Sequence, residues 1–189
     1  MPKIKHKQML LFALIVLVVW GVGTVAYIDY YPHLIYNALD KAVINNGFGA
    51  NPSSVPVNTL YTLSTLASPS THNNLAGGNH DTLYTLGVLD LSKGPQVLHV
   101  PDMDGRYYSI EFVDPWGNPS YVGQRTTGTH AGDYLISGPG WQGNLPTGMK
   151  QIAPSDNSVL VIGRVLVYND TDLATAYNLS KQIQLTPLT

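Results

Sequence analysis

The sequence predicts an α+β fold: a mainly antiparallel β-sandwich or barrel-like domain with flanking helices, preceded by one transmembrane helix. Three observations predict it. Glycine (18), proline (13) and tyrosine (12) are plentiful while only 12% of the 189 residues are charged, the composition of a turn-rich β-domain. Short apolar runs, some strictly alternating, recur between residues 82 and 167, and helical spacing of apolar residues is confined to the two ends. Twenty uncharged residues run from Met9 to Ile28.

At 1.5 Å per helical residue, that uncharged segment reaches about 30 Å, the thickness of a bilayer's hydrocarbon core. Lys3, Lys5, His6 and Lys7 precede it and Asp29 follows. The basic cluster assigns residues 1–8 to the cytoplasm and 9–28 to a signal anchor, with the remainder periplasmic or extracellular. The expected location is the cell membrane, in a single pass. A cleaved signal peptide, with Met9 to Trp20 as its apolar core and Thr24-Val25-Ala26 as its cleavage site, is the competing reading. The apolar run outlasts the roughly 7–15 residues of a signal h-region, which favours the anchor. Seven basic and all twelve acidic residues follow the segment, a net of −5 for the exported part. That balance argues against nucleic acid as a partner. The chain has no cysteine, which excludes disulfides, thiolate metal sites and a cysteine nucleophile.

Residues 29–47 read as an amphipathic helix bent at Pro32. Leu34, Ile35, Ala38, Leu39, Ala42 and Val43 recur at helical spacing and Asn45-Asn46-Gly47 supplies the stop. Residues 48–189 form the β-rich domain. Phe48 to Gly78 is loop composition around one apolar stretch at Val57 to Leu66. The runs Thr82 to Leu91 and Gln96 to Val100 flank Ser92-Lys93-Gly94-Pro95 and predict a hairpin, and Asp104-Gly105 predicts a second one over residues 96–113. From Tyr107 to Val113 the pattern alternates, with Tyr108, Ile110 and Phe112 on one face and Tyr107, Ser109 and Glu111 on the other. Tyr134 to Ser137 and Val159 to Val167 complete the strands; the latter is apolar on both faces and so central. Thr171 is placed to cap a final helix in which Leu173, Ala176, Tyr177 and Ile183 share a face.

Between Asn79 and Trp141 several short motifs follow one another: Asn79-His80-Asp81-Thr82-Leu83-Tyr84, Leu89-Asp90-Leu91-Ser92-Lys93-Gly94-Pro95, Gly105-Arg106-Tyr107-Tyr108, Arg125-Thr126-Thr127-Gly128, Gly132-Asp133-Tyr134 and Gly138-Pro139-Gly140-Trp141. With the ending Leu185-Thr186-Pro187-Leu188, they resemble the family called domain of unknown function 1254, over roughly Val57 to Leu188. The resemblance implies a β-sandwich or barrel-like domain carrying helices, often followed by a second domain of unknown function, 1214. Its absence after Thr186-Pro187-Leu188 implies a stand-alone member and a separate partner protein carrying that second domain. An apolar patch left around Leu173, Tyr177 and Ile183, or on the neighbouring sheet, would be the expected trace of the lost contact. The family usually has arginine where this chain has His80.

The candidate ligand-binding residues are Asp81, Arg106, Tyr107, Asp114, Arg125, Asp133 and Arg164. Guanidinium groups present a planar fork of donors suited to carboxylate or sugar oxygens, so these residues form a pocket for an anionic or hydroxyl-rich ligand. The structural reading, favoured because these residues show no recognisable reaction geometry, is that Arg106 and Arg125 fasten loops by pairing with Asp114 or Asp133. No catalytic residue is assigned: Gly-x-Ser-x-Gly is absent and the spacing of Glu111 and Asp114 is not diagnostic of glycoside hydrolysis. No metal site or cofactor is read, since the six histidines lack zinc spacing and Val113 stands where a calcium loop starting at Asp102 needs glutamate. Trp116, Tyr121 and Trp141 lie in Gly/Pro-rich loops, where aromatic rings stack on sugars or cover a sandwich's open ends. The reading is a membrane-anchored extracytoplasmic binding or assembly module. The alternative is an exported hydrolase-like enzyme with Arg106, Asp114, Arg125 and Asp133 around its pocket.

Overall fold

A computed structural model describes residues 6–46, 54–67 and 80–188. Lys3, Lys5, Gly47, most of the loop expected before Gly78, and Asn79 lie outside the described residues. The chain divides into two units, Met1–Ala38 and Leu39–Thr189. The first is helical: α1 runs continuously from His6 to Asn46 with Pro32 inside it, so the amphipathic stretch continues from the apolar segment in one helix. Proline removes one backbone bond from a helix interior, and the length of helix on either side carries the structure through it. The helix is long and apolar enough to cross a membrane, and a signal sequence has the same character.

The second unit is α+β, built on two sheets. Strands β1 (Tyr61–Thr62), β2 (Thr82–Asp90), β3 (Gln96–Val100), β4 (Tyr108–Val113), β5 (Pro119–Gly123), β6 (Gly132–Ile136), β7 (Lys150–Ile152), β8 (Ser158–Leu166) and β9 (Gln184–Pro187) are joined by α2 (Leu173–Gln182). One sheet has the order β1-β2-β8-β4-β5 and the other β7-β6-β3-β9. All pairs are antiparallel except β6 with β7. As expected from its two apolar faces, β8 is central, paired with β2 on one side and β4 on the other. Leu83, Leu89, Leu98, Tyr108, Ile110, Phe112, Ile136, Val159 and Val161 meet between the sheets in one apolar core. The alternation from Tyr107 to Val113 follows the prediction, with Tyr108, Ile110 and Phe112 inward.

Neither expected hairpin forms. Strand β2 is flanked by β1 and β8, so both of its edges are taken, and β3 joins β6 and β9 in the other sheet. The crossing is made by a 3₁₀ turn at Leu91–Lys93, where the Asp90 carboxylate accepts from the Ser92 amide and hydroxyl, and Gly94, at φ 130°, redirects the chain. A second crossing returns the chain from β3 to β4. Met103, fully buried, plugs the core there, and its carbonyl accepts from the Arg106 amide at 2.8 Å.

The C-terminal helix starts differently from the prediction. Thr171 lies in a 3₁₀ turn, Asp170–Asp172, which Asn169 caps by accepting from the Thr171 and Asp172 amides, and α2 itself follows from Asp172 without a side-chain cap. The helix buries Ala176, and Ile183 follows it into the core. Leu173 and Tyr177, partly buried, pack against that core as well. In the same unit the last turns of α1 bury Val43, and Asp40 accepts a hydrogen bond of 2.7 Å from Ser158 at the start of β8.

Candidate functional site: the outward face of the five-stranded sheet

Outward positions on four neighbouring strands gather charge and aromatic rings on the face away from the core. Arg164 of β8 stands between its register partners Tyr84 of β2 and Ser109 of β4. Two residues along β4, Glu111 faces Tyr121 of β5. Tyr107 precedes β4 with the same parity, and Arg125 lies in the turn after β5, where the Thr126 and Thr127 amides both donate to the Gly123 carbonyl. Gly123 has to be glycine because a Cβ there would come within 2.7 Å of the Tyr108 carbonyl oxygen.

These side chains order one another. Tyr121 donates to Glu111 at 2.9 Å, and Arg164 reaches the other Glu111 oxygen at 3.5 Å. The hydrogen bond to Glu111, with burial and the carboxylate charge behind it, pushes the Tyr121 hydroxyl pKa up. The Arg164 guanidinium lies 5.7 Å from the Tyr84 ring centre, and Arg125 lies 5.6 Å from that of Tyr107. Stacking on a ring orients a guanidinium while leaving its N–H fork available. Arg164 is partly neutralised by Glu111. Arg125 is exposed, and among the described residues no carboxylate pairs with it. The face can therefore hold an anion at Arg125, with tyrosine hydroxyls alongside.

Three of the expected residues, Tyr107, Arg125 and Arg164, thus come together, and the other four do not join them. Arg106, 7% exposed, grips both oxygens of Asp172 (Nη2 to Oδ1 2.7 Å) and the Leu166 carbonyl at 2.7 Å, with Tyr168 over its plane. Its partner is Asp172, not the predicted Asp114 or Asp133. Asp114, 1% exposed, ties its own loop: it accepts from the Trp116 and Asn118 amides at 2.9 Å, from the Asn118 side chain and from the Ser155 hydroxyl. Burial alone would push its carboxyl up, but the bonds from Ser155, Asn118 and Trp116 together hold it below the usual range. Asp133 sits on the other sheet, paired with His99 at 2.7 Å. The backbone carbonyl of Asp81 accepts from Val167, fastening the start of β2 beside the end of β8. Arg106, Asp114, Arg125 and Asp133, named together for the hydrolase pocket, thus each have a different partner: Asp172, Ser155, Tyr107 and His99.

Sequence reasoning gives Glu111 a chemical role only as half of a carboxylate pair and puts Tyr121 in a loop. Both lie on strands and face one another; the Tyr107/Ser109/Glu111 parity gives the face of Glu111, and what the sequence does not signal is Tyr121 opposite it. Depressions also open elsewhere in the unit. One, of about 390 Å³, lies between the edge strands, lined by Leu60, Tyr61, Tyr177, Lys181 and Leu185. Another, of about 310 Å³, lies between the Leu91–Pro95 turn and the loop Gly138–Trp141.

Residues 57–187 match the family described as "Protein of unknown function (DUF1254)". The chain belongs to that family. The motif stretches that carried the resemblance take part in both features of the DUF1254 domain: Arg125 is on the charged face, and Leu91–Pro95 and Gly138–Trp141 border the smaller depression. The fold is similar to the crystal structure of the VPA0106 protein from Vibrio parahaemolyticus, with a TM-score of 0.65 and 26% identity, over 84% of this chain and 35% of that one. This chain therefore spans about a third of that protein's length. No curated protein matches.

Proposed function

We propose that the protein is a binding or assembly module, tethered by its N-terminal helix with the sandwich outside the cytoplasm, and that the outward face of the five-stranded sheet is its recognition surface. The observation that carries this reading is Arg125. It is exposed, laid on Tyr107 and without a carboxylate partner among the described residues, beside an ordered Arg164–Glu111–Tyr121 set. A guanidinium left in that condition offers its full donor fork to a carboxylate from outside. The tether rests on the uncharged run Met9 to Ile28 behind Lys3, Lys5 and Lys7. Assembly with a second protein, one carrying the domain of unknown function 1214, is supported by VPA0106, in which this fold accounts for 35% of a longer chain.

Protease added to intact spheroplasts should digest the sandwich and spare a short fragment containing residues 9–28. Protection of the whole chain would overturn the orientation, and a soluble product beginning near Tyr27 would replace the tether with a cleaved signal. For the recognition surface, glutarate titrated into the labelled full chain should shift the Arg125 side-chain resonances saturably. Failure of Arg125 to respond, with other arginines responding instead, would move the site elsewhere.

A further inference from the structure

We infer that the 310 Å³ depression between the Leu91–Pro95 turn and the Gly138–Trp141 loop is a binding site for a neutral carbohydrate ring. The inference stands on the lining of this depression and is independent of the arginine face. Two loops from different sheets are locked together here by Asn157. Its backbone carbonyl accepts from the Leu91 amide at 2.8 Å, and its side-chain oxygen rests on Gly138, where a Cβ would come within 2.0 Å of Oδ1. Gly138 thus exists to let this amide lie against the second loop. The half-buried Asn157 amide makes no hydrogen bond of its own within the described protein. A fixed amide with its donors unspent at the wall of a depression is a polar group prepared for a ligand.

The remaining walls fix the ligand's class. Trp141 supplies a partly exposed ring, packed against Gly143, where a Cβ would fall 2.3 Å from Cζ2. Pro95 and Pro139 add apolar surface, and Ser92 adds a hydroxyl whose proton is committed to Asp90, leaving its oxygen to accept. Among the described residues no charged side chain lines the depression. The nearest charges along the chain, Asp90 and Lys93, are spent on one another at 3.2 Å. A charged ligand would find no counter-ion, and a purely apolar one would leave the Asn157 donors unpaired. A pyranose has the two faces required: C–H groups for the indole and hydroxyls for the amide and Ser92. The volume lies at the small end of the roughly 300–1,000 Å³ range of ligand pockets, as suits one or two sugar units.

The test uses the full chain in nanodiscs, free of glycosidic detergent, with ¹⁵N-labelled indoles. Maltose, cellobiose and diacetylchitobiose are the probes. At least one should shift the Trp141 indole resonance saturably while Trp20 and Trp116 stay in place. Trp141→Ala should abolish binding, and Asn157→Ala, which leaves the ring intact, should weaken it roughly tenfold, the loss of one good hydrogen bond. Each variant's thermal melt reports whether it is folded. The inference is overturned if no disaccharide moves Trp141, if folded Asn157→Ala binds as the parent does, or if oligoproline moves Trp141 and the sugars do not, since that assigns the depression to peptide.

Discussion

Arg106 and Arg125 sit in two regions of one domain and carry the same charge, yet their surroundings give them opposite roles. At one end of the sandwich, Arg106 is buried and both of its Nη atoms are engaged, Nη1 on Asp172 and the Leu166 carbonyl and Nη2 on Asp172, with Tyr168 stacked above. On the outward face, Arg125 is exposed and rests only on Tyr107. Whether an arginine is a fastener or a site is decided by how completely its donors are satisfied from within the protein, because an unsatisfied buried guanidinium is costly and an unsatisfied exposed one is not. Arg164 stands between the two, with one partner at 3.5 Å and a ring at 5.7 Å.

The contrast is broken most directly by Arg106→Ala. Removing one partner of a buried ion pair leaves Asp172 uncompensated and the Leu166 carbonyl without its donor, so the expected loss is about 3–5 kcal/mol of stability. A chemical denaturation curve of the full chain in a mild detergent reads it. If Arg106→Ala unfolds at the parent's midpoint, burial and pairing do not make the fastener and the distinction fails.

Acid should act on this fastener and on the Asp114 loop at the opposite end of β4. The hydrogen bonds and charge of Arg106 hold the Asp172 carboxyl below its ordinary range, and the bonds to Asp114 do the same against its burial. A depressed pKa in the folded state means that the unfolded chain binds more protons in that window. The stabilisation is therefore complete above the ordinary aspartate value, about 3.9, and is lost as pH falls through the lower folded values. The parent's melting temperature should drop below roughly pH 4. Arg106→Met, having already lost the Asp172 share, should show a shallower drop. An equal slope in both proteins would remove Asp172 from the account.

The sequence made the inward side of this domain legible and its outward side less so. Alternation from Tyr107 to Val113 and the doubly apolar run to Val167 were read directly, because burial between sheets leaves a period-two record. The hairpins were misread because a short turn between two apolar runs says that the chain reverses and not which sheet receives it. That is settled by β8 taking the open edge of β2 from about seventy residues away. Seven polar residues were singled out and three of them met. The pairing of Arg106 with Asp172 had no local signature, since the two are 66 positions apart. Short strands such as β1, β5, β7 and β9 left little pattern to read, although Pro119 at the first position of edge strand β5 is where proline is tolerated.

The smallest expected stability effect sharpens the comparison most. Arg125→Ala removes an exposed side chain with one ring contact, so its change in stability should stay within about 0.5 kcal/mol. Glu111→Gln breaks only a long, partly exposed pair with Arg164 and should cost no more than about 1 kcal/mol. The two variants should nevertheless differ in binding. Without Arg125 the face loses its unpaired guanidinium, and the glutarate response should vanish. Without the Glu111 charge, Arg164 is released from its internal partner and the face gains a second free cation, so glutarate should bind more tightly and with a steeper dependence on salt. A rise in affinity for Glu111→Gln together with a loss for Arg125→Ala is hard to obtain from a purely structural cluster, in which both changes would register as altered melting. If both variants melt like the parent and bind glutarate unchanged, the tyrosine-stacked arginines are surface decoration, and recognition by this domain has to be sought at its loops.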